Sequence, residues 1–220
     1  MRFIIVVALI FLLGAGCAQQ GRETTEDRVA NPDNNSSAID EATENSENEI
    51  LEDAEESQDL VVPPIDPEAA WGYHATLKVF GQFVDDRFYG YHAGEDVEVL
   101  PEFEGSDVEV RAAAEGYIVY KNWVGGYGGV VIIEHEISGE IYRSLYGHLD
   151  LDSVTQDVGE PLQKGEVFAL LGDPYSTQTD GERQHLHFSV WKGEAVQLAG
   201  YVGKSSELAK WLNPQDFYKL

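Results

Sequence analysis

Short apolar runs separated by glycine-rich turns recur along the second half of the chain. The runs are rich in Val, Ile, Tyr and Phe, and they include DVEVRAAAEGYIVYKNW, GGVVIIEHE, IYRSLYGHL, VFALLG and HLHFSVWKG. Short β-branched and aromatic runs bounded by glycine are typical of strands. A helical repeat occurs only in a short stretch near SSELAKWL. The pattern predicts an all-β domain, either an antiparallel β-sandwich or a partly open barrel.

A glycine-rich segment, VGGYGGV at positions 124–130, lies between two of these runs. Glycine clusters between β-type segments indicate a turn or loop. The segment therefore predicts a connection between two strands, with Trp123 and Tyr127 as candidates for exposed aromatic side chains.

The N-terminal segment MRFIIVVALIFLLGAGCAQQ has one positive charge, an apolar run, small residues and then the only cysteine. The apolar run is too short to span a bilayer and is typical of a secretory signal. A single cysteine in an exported protein indicates a partner or a modification. The position of Cys17 resembles the lipobox of bacterial lipoproteins, although Gly14 stands where that motif usually has leucine. The resemblance implies a lipid anchor at Cys17, and the alternative is ordinary cleavage with a free thiol.

Charge and composition divide the remaining chain into two parts. Residues 18–60 contain fourteen Asp and Glu, two Arg and no aromatic residue, so they cannot bury a core and are predicted to be disordered. The interpretation is a signal peptide over residues 1–16, a lipid-anchored acidic linker over 17–65 and one β domain over 66–220. The formal net charge of −26 argues against nucleic acid and bare anionic membrane surfaces as partners.

The segment QHLHF places two histidines one residue apart in a predicted strand. Side chains alternate between the faces of a strand, so His185 and His187 share one face while Leu186 and Phe188 point to the other, toward a core. Two neutral imidazoles on one face can bind a metal together, or one can bind while the other transfers protons. The alternative is a pair of partly exposed histidines beside an apolar strand.

Further upstream, YHAGEDVEV contains His92 and Asp96 four positions apart. Gly94 and the β-type residues after it favour a loop running into a strand rather than a helix. Two histidines and an aspartate around an open fourth position form the ligand set of a catalytic zinc. The segment YGHLD then places His148 at a strand end.

The order H-x-G-x-D, Y-x-H and H-x-H resembles the lysostaphin and LytM type of zinc metalloendopeptidase. The surrounding segments GGVVIIEH, LYGHL, VFALLGDPYSTQTDG and LNPQDFY resemble that family as well, and the resemblance extends over roughly residues 80–218. It implies the LytM-type β fold, a zinc cofactor, and hydrolysis of the peptide part of bacterial peptidoglycan.

The resemblance also implies a role for each matched residue. His92, Asp96 and His187 would bind zinc, while His148 and His185 would lie beside the metal for proton transfer and for stabilising the oxyanion. Spacing alone does not divide these roles, because residues i and i+2 of a strand can both reach one metal.

Three other residues have different interpretations. Glu95 departs from the family pattern, which more often has an apolar residue there, and it is expected to tune the electrostatics near Asp96 without breaking the site. His135 and His74 are interpreted as structural.

Two other classes of function stay open at this point. One is a LytM-like protein that binds the wall or activates other wall hydrolases without catalysis. The other is a carrier domain, because VGEPLQKGEVFALLG resembles segments of lipoyl and biotinyl domains.

The expected location is the cell envelope, with the protein exported and held at a membrane by lipid on Cys17. The loops expected to border the substrate groove contain no sequence pattern that identifies which peptide bond of the wall is cut.

Overall fold

Eleven β-strands dominate the part of the chain that is described, which comprises residues 59–70 and 78–220 of a computed structural model. The strands are β1 (Phe83–Val84), β2 (Gly90–His92), β3 (Glu95–Glu98), β4 (Glu109–Arg111), β5 (Gly116–Val124), β6 (Gly128–Ile137), β7 (Glu140–Asp150), β8 (Pro161–Leu162), β9 (Val167–Leu171), β10 (His185–Lys192) and β11 (Tyr201–Val202). The helices are short: 3-10 helices over Pro101–Phe103, Leu151–Ser153 and Ser205–Lys210, and one α-helix, α1 (Pro214–Phe217). The all-β prediction is confirmed, and the predicted helical stretch is a 3-10 helix.

The strands form two antiparallel sheets. The smaller sheet has the order β1-β2-β11, and the larger one has the order β3-β10-β7-β6-β5-β8, with β9 pairing to both β7 and β4. Within residues 78–220 neither sheet closes into a barrel. Among the described residues, no helix has the length and apolar character that crossing a membrane requires.

The glycine-rich segment forms the turn between β5 and β6, as predicted. Gly128 has a φ of +76°, and a Cβ atom there would lie 1.8 Å from the backbone oxygen of Gln178, so only glycine fits. Trp123 is half exposed, but Tyr127 is buried at 6% exposure. The prediction of an exposed Tyr127 is therefore wrong, because its ring packs under the turn against the histidines of β7 and β10.

Both faces of the large sheet are covered in its centre. Val131 and Ile133 of β6 belong to the main core, which also contains Leu186 and Phe188 of β10. The alternate residues of β6 pack in a second cluster around Trp191. This two-sided burial explains why GGVVIIEHE is a continuous apolar run rather than an alternating one.

The first described residues pack on the domain. Val61 and Ile65 are buried in the main core, and Val62 donates its N–H to the Ala113 carbonyl at 2.7 Å. Packing therefore begins a few residues before the predicted domain boundary at Asp66. The signal segment, Cys17 and most of the predicted acidic linker lie outside the described residues.

Candidate metal centre

The three residues predicted to bind a metal lie close together where β2, β3 and β10 meet. His92 ends β2, Asp96 lies in β3 and His187 lies in β10, and all three are buried. His92 Nε2 lies 3.1 Å from His187 Nδ1 and 3.3 Å from Asp96 Oδ1. His187 Nδ1 lies 3.2 Å from the same carboxylate oxygen. Two imidazole nitrogens and one carboxylate oxygen thus form a nearly equilateral triangle.

The triangle has the dimensions of one face of a tetrahedral zinc site. Zinc binds imidazole nitrogen and carboxylate oxygen at about 2.0–2.2 Å, which separates neighbouring tetrahedral ligand atoms by about 3.3–3.6 Å. The three observed separations, 3.1, 3.2 and 3.3 Å, lie at the lower end of that range or within about 0.2 Å of it. Both the chemistry of the donors and their spacing therefore fit zinc.

The local backbone brings the three residues together. The ladder between β3 and β10 places His187 directly opposite Asp96. A two-residue bend at 93–94 turns β2 into β3, so the loop predicted between His92 and Asp96 is only this bend. A Cβ atom at Gly94 would lie 2.8 Å from His187 Nε2 and closer still to the backbone of β10, so this position requires glycine.

Hydrogen bonds on the far side of each imidazole determine which nitrogen faces the triangle. His92 Nδ1 donates to the Lys78 carbonyl at 3.1 Å, which leaves Nε2 without a proton in the neutral ring. His187 Nε2 lies 2.8 Å from Ser189 Oγ, which can accept a hydrogen bond from Nε2–H, so that Nδ1 is unprotonated in the neutral ring. Partners of this kind orient metal-binding histidines and select their tautomers.

The second oxygen of the Asp96 carboxylate faces a partly buried ion pair. Arg183 Nη2 lies 3.2 Å from Asp96 Oδ2, and the same guanidinium pairs with Glu98. Burial raises the pKa of Asp96, but the neighbouring His185 and His187 lower it more, so the pKa lies well below its usual value. Asp96 is therefore ionised at neutral pH, as a metal-binding carboxylate must be.

His148 occupies a β-bulge in β7. The ladder with β6 pairs residues 147 and 149 of β7 with two consecutive residues of β6, so His148 is the extra residue, and its φ is +64°. Tyr146 and Leu149 both lie in the main core, so the bulge interrupts the alternation of faces. It turns His148 toward the candidate metal ligands His92, Asp96 and His187, hereafter called the metal cluster.

One ring nitrogen of His148 has no structural contact in the described ranges. Its Nδ1 atom is buried and has no hydrogen-bond partner among the described residues. Burial, followed by the charges of His185 and His187, holds the pKa of His148 well below its usual value. The ring is therefore neutral at neutral pH and able to take up a proton.

His185 is the neighbour of His148 rather than a member of the triangle. Their ring centroids are 4.3 Å apart, and His185 Nε2 lies 3.5 Å from Asp96 Oδ2. His185 Nδ1 donates to the Arg183 carbonyl at 2.9 Å, which directs Nε2 toward the cluster. The two histidines of QHLHF share one face, as predicted, but their surroundings differ.

A cavity of about 180 Å³ opens onto the cluster and both neighbouring histidines. The sequence interpretation missed four residues that line it, namely Lys78, Tyr127, Arg183 and Tyr201, and also Ser189, which lies behind His187. Ser189 was detectable in principle, because it stands two positions after His187 on the same strand face. Arg183 stands two positions before His185, just ahead of β10, whereas Lys78, Tyr127 and Tyr201 come from loops and a distant strand and no local spacing identifies them.

His135 lies away from the metal cluster, at the opposite end of β6. Its ring is buried between the Glu115 carbonyl, 2.9 Å from Nδ1, and Ser144 Oγ, 2.7 Å from Nε2. Burial lowers the pKa of His135 to about 4. These contacts have a structural character, in line with the interpretation of this residue.

The low pKa of His135 predicts a pH-dependent loss of stability. The unfolded chain protonates this histidine below about pH 6.5, whereas the folded chain resists protonation down to about pH 4. The stabilisation is complete above pH 6.5 and decreases toward pH 4 by about 1.4 kcal/mol per pH unit. Denaturant unfolding of metal-free protein should lose stability toward acid with this contribution included, and the free energy of unfolding of His135→Gln should fall less steeply, by about this amount, over the same window. Equal slopes in the two proteins would contradict the assignment.

Glu95 faces away from the metal cluster. Its carboxylate accepts hydrogen bonds from Gln215 Nε2 and Tyr218 Oη, both at 2.8 Å, and burial raises its pKa. This residue therefore anchors the C-terminal segment to β3 on the side opposite Asp96. His74 lies outside the described residues.

Comparison with known proteins gives a family match over the same region. The family model described as Peptidase family M23 matches residues 90–198. The chain is 35% identical over 97 residues to the murein hydrolase activator EnvC of Escherichia coli K12, covering 44% of this chain and 21% of EnvC. It is 37% identical over 95 residues to the lipoprotein NlpD of Yersinia enterocolitica, covering 42% of this chain and 88% of that sequence. The chain thus spans about a fifth of EnvC and most of the NlpD sequence.

Among solved structures, the chain resembles the catalytic domain of the antimicrobial peptidase lysostaphin from Staphylococcus simulans. The TM-score is 0.49 at 20% sequence identity, and the superposition covers 66% of this chain and 92% of that domain.

Proposed function

Because the chain belongs to peptidase family M23, we propose that it is a zinc-dependent endopeptidase that hydrolyses the peptide part of bacterial peptidoglycan. The observation that carries the proposal is the buried triangle of His92 Nε2, Asp96 Oδ1 and His187 Nδ1, with edges of 3.1–3.3 Å. In this proposal these three residues hold the metal, and His148 and His185 act beside it.

The proposed chemistry assigns separate tasks to the metal and to the two remaining histidines. When bound, zinc lowers the pKa of a water to about 7 and polarises the scissile carbonyl. One of His148 and His185, which both line the cavity, accepts the proton of the attacking water. The other donates a hydrogen bond to the oxygen that becomes negative as the carbonyl is attacked. No described serine or cysteine is required as a nucleophile.

Metal analysis and a wall-hydrolysis assay test the proposal together. The purified protein is expected to contain about one zinc per chain and to solubilise purified peptidoglycan, with activity lost on chelation and restored by zinc. Mass spectrometry of the new peptide ends would identify the bond. A metal-loaded protein that leaves every wall preparation intact would contradict the enzymatic proposal.

The hydrogen bond from His187 Nε2 to Ser189 Oγ predicts a measurable effect on zinc affinity. Ser189→Ala should weaken zinc binding by about 10–100-fold, because the partner that fixes the His187 tautomer is lost. A competition titration with a zinc chelator measures the affinity. Ser144→Ala is a matched control, since Ser144 is also a buried serine bonded to a histidine, His135, but lies away from the metal cluster. An effect of equal size in both variants would mean that general destabilisation is responsible.

A second candidate function is activation of other wall hydrolases without catalysis. The similarity to EnvC, whose name describes a murein hydrolase activator, supports this alternative. The two proposals differ in one result. An activator stimulates an added hydrolase even after a chelator has removed the metal from the activator, whereas the endopeptidase hydrolyses wall without a second protein and needs its metal.

We also propose an envelope location with a lipid anchor at Cys17, followed by an acidic linker and the peptidase domain. The position of Cys17 after a short apolar run motivates this proposal, and the similarity to a protein named as a lipoprotein supports it. Cys17→Ser should release the protein from the membrane fraction, as measured by fractionation after a salt wash. A serine variant that remains membrane-bound with its signal removed would contradict lipid anchoring.

A further inference from the structure

Two buried carboxylates lie on the same face of β3. Asp96 and Glu98 are two positions apart in this strand, and the ladder with β10 places them opposite His187 and His185. The side chain of Asp96 is 3% exposed and that of Glu98 is 9% exposed. Two carboxylates with so little hydration repel each other unless a cation lies between them.

Arg183 supplies this cation. Its Nε atom donates to Glu98 Oε2 at 2.9 Å, and its Nη2 atom contacts both Glu98 Oε1 and Asp96 Oδ2, the latter at 3.2 Å. One edge of the planar guanidinium therefore bridges the two carboxylates. A lysine ammonium has the same charge but lacks this fork of fixed N–H groups, so it does not bridge the pair with the same geometry.

The backbone of Arg183 is anchored by its neighbours. The buried Gln184 accepts a hydrogen bond from the Gly105 N–H at 2.8 Å and donates one to the Ser106 carbonyl at 3.0 Å. The carbonyl of Arg183 accepts the hydrogen bond from His185 Nδ1. The guanidinium thus extends from a fixed point of the chain, and replacing the side chain leaves the carbonyl in place for His185.

The two oxygens of Asp96 have different surroundings as a result. Oδ1 lies 3.2 Å from His187 Nδ1 and 3.3 Å from His92 Nε2. Oδ2 instead faces Arg183 Nη2 at 3.2 Å and His185 Nε2 at 3.5 Å. A carboxylate held at Oδ2 offers only Oδ1 to a metal, which leaves a position open for water in a site with three protein ligands. A carboxylate that is free to rotate can bind through both oxygens and occupy that position.

We propose that Arg183 is a positioning residue whose planar fork restricts Asp96 to one metal-facing oxygen, and that Glu98 holds Arg183 in the orientation this requires. In this role Arg183 acts only through Asp96. The identity of the metal rests on the proposed function, whereas the effect is on metal binding and does not depend on turnover.

A double substitution that preserves the charge of the site tests this role. Arg183→Met combined with Glu98→Gln removes one positive and one negative charge, so the net charge beside the metal cluster is unchanged while the bond to Asp96 Oδ2 is lost. Zinc affinity, measured by competition with a chelator, should fall by about 10–100-fold, because a partner that orients a metal ligand is removed. Arg183→Lys keeps the charge but not the fork, and its zinc affinity should fall by about tenfold or more. If the double variant does not fold, Arg183→Lys decides.

Cobalt substitution provides a readout that a loss of stability alone would not change. A four-coordinate cobalt(II) site absorbs visible light much more strongly than a five- or six-coordinate site. At full metal occupancy the unmodified protein should show the strong bands. The double variant and Arg183→Lys should both show weaker bands, because Asp96 then binds through both oxygens.

Arg143 and Glu134 form a matched control pair. Arg143 also bonds through Nε and Nη2 to a glutamate on the neighbouring strand, but this pair links β7 to β6 beside His135, away from the metal cluster. Arg143→Met combined with Glu134→Gln should therefore change neither the zinc affinity nor the cobalt bands.

Several results would overturn the positioning role and leave the endopeptidase proposal intact. These are an equal loss in the control pair, and unchanged zinc affinity or unchanged cobalt bands in the Arg183 variants. Retention of both properties by Arg183→Lys alone would also overturn it, because the charge would then suffice without the fork. The expected losses in a protein that never hydrolyses wall would support the positioning role and contradict the endopeptidase proposal.

Discussion

Replacing His187 with alanine is expected to remove the bound zinc and the hydrolytic activity together. His187 Nδ1 is one of three atoms in the proposed ligand triangle, and it lies within 3.2 Å of both others. Two remaining protein ligands bind zinc much more weakly, because structural and catalytic sites need three or four. Zinc content per chain, measured alongside the rate of wall hydrolysis, checks both parts of the expectation.

His185→Ala is the matched control for this substitution. His185 lies on the same face of β10, two positions away, but its Nε2 atom contacts Asp96 Oδ2 rather than the oxygen of the triangle. We therefore expect the His185 variant to keep its zinc while losing most of its rate. Zinc absent from the His185 variant and retained in the His187 variant would mean that the roles are reversed.

The parts of this site that sequence predicts are those governed by local periodicity. The H-x-H segment lies on a strand with Leu186 and Phe188 in the core, because a strand alternates its side chains with a period of two. Glycine between His92 and Asp96 indicates a tight connection, and the structure shows a close approach to β10 at that point. The all-β class follows from the same short apolar runs.

The parts that sequence does not predict depend on long-range pairing. A strict alternation along β7 would bury His148 in the main core with Tyr146, and only the bulge against β6 turns it to the site. A glycine-rich turn predicts an exposed Tyr127, whereas its ring lies against Gly147, Gly200 and His187 and is buried. Arg183 reaches Asp96 across 87 positions of sequence, and no local rule connects them.

The boundary between the acidic linker and the domain shows a different limit of prediction from sequence. Composition identifies where a core is impossible, but it does not locate the first residue that packs. Val61 and Ile65 follow the acidic stretch directly and are nevertheless buried. Two apolar residues among prolines carry too little periodicity to be recognised as part of a core.

His148→Ala is expected to retain zinc and to reduce the rate of wall hydrolysis by about a hundredfold or more. His148 does not belong to the ligand triangle, so its loss should leave the metal in place. Its buried Nδ1 atom has no partner among the described residues, and in the proposed mechanism a neutral ring so placed acts as proton acceptor or oxyanion donor. His185→Ala should have a similar effect.

The backbone at His148 requires a second variant, because alanine at a φ of +64° is strained by about 1–2 kcal/mol. Asparagine adopts positive φ more readily than most residues, so His148→Asn should preserve the bulge while removing the imidazole. We expect both variants to bind zinc with the affinity of the unmodified protein and to differ from each other in thermal stability. Both should hydrolyse wall at the same reduced rate. If the asparagine variant hydrolyses wall at the normal rate, the contribution of His148 is to the shape of the bulge and its ring takes no part in the chemistry.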